Sequence, residues 1–248
     1  MEPEKPHIIQ EFEESITNLR SDVISMAGQT RLNLERAVQA LLERDVDLCK
    51  VVIADDNDVD EMQRTIDSSG MDVLVRFHPV ASDLRLVISS MKIAANLERI
   101  SDHAVNIAKR AKRIAGRAEI AELKLAEPLY AMADKILRDS MAAFTNRDVS
   151  LGASLRGHDK ELDRLHKNVI GKLSNLLEEG GDRTEDYLHL IFVVRSLERV
   201  GDLAVNIGED AVFLGSAQDI RHDKKAAKEV IAAEEAAEAA EAAEKSEE

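Results

Sequence analysis

Aromatic residues are scarce in this 248-residue chain, with five Phe, two Tyr and no Trp. Proline occurs four times. A chain so poor in aromatics and rich in Ala, Leu, Glu and Arg has little from which to build a sheet, and its composition is that of a helical bundle. Cys49 is the single cysteine, so no intrachain disulfide can form and a reducing compartment fits. Apolar runs such as residues 190–194 fall far short of the roughly 20 residues that span a bilayer. The opening Met-Glu-Pro-Glu-Lys-Pro is acidic and carries no apolar run. The expectation is therefore a cytoplasmic protein with no signal peptide and no membrane insertion. Positive charge is also in deficit: 33 Lys and Arg face 48 Asp and Glu, a net charge of −15. That balance argues against nucleic acid and against an anionic membrane surface as partners.

What the chain does have is a repeat. Leu97-Glu98-Arg99-Ile100-Ser101-Asp102-His103-Ala104-Val105-Asn106-Ile107 returns as Leu197-Glu198-Arg199-Val200-Gly201-Asp202-Leu203-Ala204-Val205-Asn206-Ile207. Each copy carries Glu and Asp four residues apart, a spacing that puts both carboxylates on one helix face, one turn apart. Like charges so placed repel, so their repetition needs a cause.

Apolar periodicity predicts six helices. The first runs from about Ile8 to Arg44 on a heptad-like seam of Phe12, Ile16, Leu19, Val23, Met26, Thr30, Leu34, Ala37 and Leu41. At about 1.5 Å per residue it is a rod of roughly 50 Å. Arg44-Asp45-Val46-Asp47 is a corner in which Asp45 can cap the next helix. The second helix continues through Leu48, Val52, Val59, Met62, Ile66 and Val73, with Gly70 as a local weakness. Phe77-His78-Pro79 stops it, because a residue preceding proline is pushed out of the α region. Pro79 is expected in the first turn of the third helix, which runs to about Ile114. A polar linker after Gly116 leads to a fourth helix beginning near Leu125 or Pro128. Arg147-Asp148-Val149 then repeats the first corner. The fifth helix ends at Gly180-Gly181, and Asp182 with Glu185 forms a predicted capping box for the sixth, which ends near Gly215. The fold expectation is all-α: two tandem antiparallel three-helix bundles related by internal pseudosymmetry. The boundaries are residues 8–117 and 123–216, followed by a low-complexity Ala/Glu tail over 224–248, read as solvated helix or coil.

A second acidic pair also repeats. Helix two carries Asp56 and Asp60, and helix five carries Asp159 and Asp163. In an antiparallel hairpin, residues equidistant from the turn face one another. Asp56 and Asp102 are equidistant from Pro79, and so are Asp60 and Glu98. Asp159 with Asp202, and Asp163 with Glu198, are each equidistant from the Gly180-Gly181 junction. Each hairpin therefore brings four carboxylates level, with the turn where the helix breakers independently put it.

Four such carboxylates at a core edge cannot all stay ionised without compensation. Protonation, neighbouring arginines (Arg99 and Arg199) or a bound cation would each supply it. All-oxygen donors suit Mg, Mn, Ca or iron, with zinc also allowed. Histidine plays little part, since His103 is replaced by Leu203 in the second copy and His158 and His166 have no counterparts in the first half. Cys49 reads as a packing residue. The chain lacks a phosphate-cradling glycine loop and a nucleophile elbow. A carboxylate-bridged metal hydrolase or oxidase remains the alternative class, although the chain offers it no non-carboxylate acid or base.

Over residues 10–215 the chain resembles the PhoU family of phosphate-specific transport accessory proteins. The resemblance rests on the two Glu-Arg-x-x-Asp-x-x-x-Asn-Ile segments, the Asp-x-x-x-Asp pairs, and Arg76-Phe77-His78-Pro79-Val80-Ala81-Ser82-Asp83-Leu84-Arg85. His78 stands where the family usually has Gln. The resemblance implies metal ions (iron, zinc, magnesium or manganese) on Asp56, Asp60, Glu98 and Asp102 in one bundle and on Asp159, Asp163, Glu198 and Asp202 in the other. It further implies a non-enzymatic cytoplasmic regulator that restrains phosphate uptake and phosphate-starvation signalling. Its implied partners are the ATPase subunit of a phosphate ABC transporter and a sensor histidine kinase, and its implied state is a homodimer.

Overall fold

The computed structural model describes residues 5–221, with side chains from residue 8 onward. Among these residues there are six α-helices and no strand: α1 (Lys5–Glu43), α2 (Val46–Phe77), α3 (Ala81–Ala115), α4 (Glu127–Asn146), α5 (Val149–Glu179) and α6 (Thr184–Ser216). The Ala/Glu tail predicted over 224–248 lies outside the described residues. Helices α1, α2 and α3 pack on one another as one bundle, and α4, α5 and α6 as a second. The seam on α2 is buried as the periodicity requires: Val52, Val59, Ile66 and Val73 recur every seventh residue. Both corners take the same form. Arg44 and Arg147 adopt the left-handed conformation (φ 59° and 55°), and the following aspartate caps the next helix. Asp45 accepts from the Asp47 and Leu48 amides, and Asp148 from the Leu151 amide.

The bundles share one core. Helix α3 lies antiparallel against α6: Arg85 Nε donates to the Leu214 carbonyl at 3.3 Å, Ser89 Oγ to the Asp210 carbonyl at 3.2 Å, and Arg110 Nη1 lies 3.3 Å from His189 Nδ1. Along this register Ile100 and Val200, both fully buried, come level. The two copies of the repeated motif thus come level midway along the α3–α6 pair, as pseudo-twofold symmetry requires.

Four local expectations are corrected. Pro79 is not in the first turn of α3: His78 (φ 47°) and Ala81 (φ 49°) both adopt left-handed backbone, and the helix begins after the extended Val80. The capping box of Asp182 and Glu185 does not form. Arg183 occupies the N-cap without a side-chain cap, and Glu185 is drawn instead to Arg117 at 2.7 Å. The linker between the halves is not merely polar, because residues Ala121–Ala126 form a 3-10 helix and Ile120, Leu123 and Ala126 are buried. Gly70 is a close-approach point rather than a weakness. A Cβ there would meet Met91 Cγ and Sδ at 2.9 Å.

Candidate functional site

The first quartet forms where α2 faces α3. Ser101 Oγ donates to Asp56 Oδ1 at 2.8 Å, which fixes the level of the two helices and agrees with a hairpin centred on Pro79. Asp56, Asp60 and Glu98 are half-buried and Asp102 is exposed. Burial pushes the Asp56 carboxyl up, the Ser101 hydroxyl holds it down, and the Asp102 and Asp60 charges push it up again. Glu98 is raised by burial and then by Asp102, Asp60 and Asp56, with Arg99 opposing. All four carboxylates predicted for this half therefore act on one another.

The second quartet forms in the same way between α5 and α6. Burial, followed by Asp202, Asp163 and Glu209, pushes Asp159 up to about 6. Glu198 and Asp202 are also raised, burial being the main cause, with Arg199 opposing in both. Here the arginine predicted as a neutralising partner is engaged: Arg199 Nη1 donates to Asp202 at 2.9 Å and its Nε lies 3.4 Å from Glu198. Arg99 acts on Glu98 at longer range, without a close ion pair among the described residues. The same Arg199 lowers His103 across the molecular axis, although burial is the larger cause there. His103 Nδ1 and His166 Nε2 are buried without partners, and burial keeps both rings below their usual pKa. Cys49 is fully buried, as a packing residue should be.

Chemically the donor set fits a hard cation, since it consists of carboxylate oxygens alone, and the ionised forms of Asp56, Glu98, Asp159, Glu198 and Asp202 are disfavoured where they stand. Among the described residues no three His, Cys, Asp or Glu side chains converge tightly enough to grip a metal. Like charges repel, so gripping an ion would require these side chains to converge further than they do here. The eight predicted residues are thus brought together as two quartets, but not as closed coordination shells.

Sequence reasoning missed what lies beneath the first quartet. Thr30, placed on the apolar seam of α1, and Asn33 are both fully buried, and Thr30 Oγ1 and Asn33 Nδ2 have no hydrogen-bond partner. The α1–α2 corner would have found them. Residues equidistant from Arg44 and Asp45 face each other, which pairs Asn33 with Asp56. The observed Arg36–Asp55 bond of 2.9 Å and Arg76–Glu11 bond of 3.0 Å follow that register.

The family model described as "PhoU domain" matches this chain twice, over residues 23–111 and 127–211. The chain is 33% identical over 217 residues to the phosphate-specific transport system accessory protein PhoU homolog of Pseudomonas aeruginosa, covering 87% of this chain and 90% of that one. It is 31% identical over 216 residues to the phosphate-specific transport system accessory protein PhoU of Escherichia coli, again covering 87% and 90%. The crystal structure of PhoU from Pseudomonas aeruginosa superposes with a TM-score of 0.80 at 32% identity, over 84% of this chain and all of that one. The phosphate transport system regulatory protein PhoU from Streptococcus pneumoniae shares the fold, with a TM-score of 0.78 at 24% identity over 84% of this chain and 98% of that one.

Proposed function

The chain belongs to the PhoU domain family, and from that premise we propose that it is a metal-binding adaptor that restrains phosphate uptake and phosphate-starvation signalling. It links the ATPase subunit of a phosphate ABC transporter to a sensor histidine kinase, works in the cytoplasm, and does so as a homodimer. The relatives' names as accessory proteins of phosphate transport support the regulatory and non-catalytic part. The described helices include none long and apolar enough to cross a membrane, so association with a transporter would run through surface contacts.

The observation that carries the metal reading is the paired quartet itself. Carboxylates face one another across both hairpins, Asp56, Asp60, Glu98 and Asp102 in one and Asp159, Asp163, Glu198 and Asp202 in the other, and of these the half-buried Asp56, Glu98, Asp159, Glu198 and Asp202 are pushed up, mainly by burial. A bound iron, zinc, magnesium or manganese ion supplies positive charge that offsets this repulsion and cross-links two helices of each bundle. The chain's own residues hold the carboxylates level, exclude bulk water from their inner edges and set their protonation. The adaptor role is tested by deleting the gene and following a phosphate-starvation reporter in phosphate-rich medium. The expected result is derepression, restored by the wild-type gene but not by one carrying alanine at Glu98, Asp102, Glu198 and Asp202. Normal repression in the deletion strain would overturn the regulatory reading.

A further inference from the structure

The two quartets look alike on their outer faces and differ underneath. Beneath the first lie three buried polar side chains: Thr30 and Asn33 on α1 and Ser101 on α3, all fully buried. The matching positions of the second half are Ala133, Ile136 and Gly201, of which Ala133 and Ile136 are fully buried and Gly201 buried. Two of these positions, Gly201 and Ile136, meet in the second half. A Cβ on Gly201 would lie 3.8 Å from Ile136 Cδ1 and would collide with Leu162 Cδ2. In the first half the α1–α2 register sets Asn33 level with Asp56, to which Ser101 donates.

Polar groups in that position are costly unless they are used. A buried donor or acceptor left unpaired costs about 1–3 kcal/mol, and Asn33 Nδ2 and Thr30 Oγ1 are two such groups in one layer. Gln29 Nε2 donates to Asn33 Oδ1 at 3.1 Å, which fixes the amide with its NH2 as the free end. Ser101 meanwhile donates to Asp56 and holds that carboxylate in place. Residues that orient metal-ligating carboxylates from behind change affinity by 10- to 100-fold in other sites.

Resting on the metal reading above, we propose that Thr30, Asn33 and Ser101 are positioning residues that make the first quartet the tighter of two unequal divalent-cation sites. Ser101 orients Asp56. Asn33 Nδ2 is free to donate to a quartet carboxylate, and Thr30 Oγ1 is free to accept a hydrogen bond in the same layer, so both would steady the carboxylates that hold the cation. The second quartet has none of these groups. Its Arg199 also lies on Asp202 and Glu198 and must be displaced before a cation can take both.

The test uses the full chain and Mn2+ as the probe, read by calorimetry and by the EPR spectrum of the bound ion. Glu198→Ala with Asp202→Ala leaves only the first quartet, and Glu98→Ala with Asp102→Ala leaves only the second. The first-quartet protein should bind Mn2+ at least tenfold more tightly. Adding Asn33→Ile, or in a separate protein Thr30→Ala, should erase that advantage and alter the EPR line shape, while the same changes leave the second-quartet protein's affinity untouched. Equal affinities of the two quartets, or less than a twofold effect of both Asn33→Ile and Thr30→Ala on the first, would overturn the inference while leaving the metal reading intact. If wild-type protein binds neither Mn2+ nor Zn2+, the metal reading falls and this inference with it.

Discussion

The two halves of this molecule share a motif and a fold but close their hairpins differently. In the second half α5 and α6 meet through glycines: a Cβ on Gly152 would lie 2.8 Å from the Gly208 carbonyl oxygen, and one on Gly208 would collide with Leu155 Cδ1. The first half has Cys49 and Ala108 at the matching positions, both fully buried, so α2 and α3 carry side chains between them there. The same contrast recurs at the motif, where Gly201 replaces Ser101. Smaller residues bring the helices closer and remove the hydroxyl that a carboxylate could use. Asp56 keeps its donor, while Asp159, without one, rises to about 6. One duplicated acidic pattern therefore sits on two different supports, one polar and one close-packed.

The largest effect expected from this contrast is on packing. Gly152→Ala forces a backbone carbonyl to move, and overpacking of that kind costs about 1–3 kcal/mol. Cys49→Ala, at the matching place in the first half, removes one buried sulfur and should cost about 1 kcal/mol. Urea denaturation of both variants measures the difference, and equal losses would break the account of a closer second hairpin.

Ser101→Ala should come next, at about 1 kcal/mol for the lost hydrogen bond. It should also push Asp56 further up, toward the level of Asp159, in a carboxyl titration followed by NMR. An unmoved Asp56 would mean that Ser101 is not its support.

The pH response of Asp159 carries a definite sign. Its folded pKa is raised, so above about pH 6 the folded protein holds an ionised carboxylate at a penalty. As pH falls through 6 toward the unfolded value of about 3.9, the folded state takes up the proton first and this penalty is relieved. In metal-free protein Asp159→Asn should accordingly raise Tm by a few degrees at about pH 7.5 and lose that gain near pH 4.5. A benefit that persists at the lower pH would contradict the assignment.

Arg199→Ala should have the smallest effect on stability. The guanidinium is 56% exposed, and such surface pairs contribute about 0–1 kcal/mol. It should still push Glu198 and Asp202 up, since Arg199 holds both down. In the first half Arg99→Ala should push Glu98 up and relieve part of the lowering of His103.

The quartets were legible in the sequence because two local signals, helix breakers and acidic spacing, agreed on one hairpin register. The polar layer below was legible in principle and overlooked, because Thr30 fits an apolar heptad position by spacing alone and Asn33 belongs to no motif. What stayed out of reach depends on tertiary partners. Glu185 has the sequence of a capping residue, yet Arg117 is nearer and takes it. Gly70 reads as a weak point until the side chain of Met91 is seen filling its space. Arg99 and Arg199 occupy the same place in the repeated Leu-Glu-Arg motif, and only the structure separates the arginine that clasps its carboxylates from the one that does not.

Whether the two level quartets bind metal is read directly by elemental analysis of purified protein. The wild type should be compared with a variant carrying alanine at Glu98, Asp102, Glu198 and Asp202, both shown by circular dichroism to be folded. The account predicts stoichiometric iron, zinc, manganese or magnesium in the wild type and its loss from the variant. Equal metal content in the two proteins would contradict it.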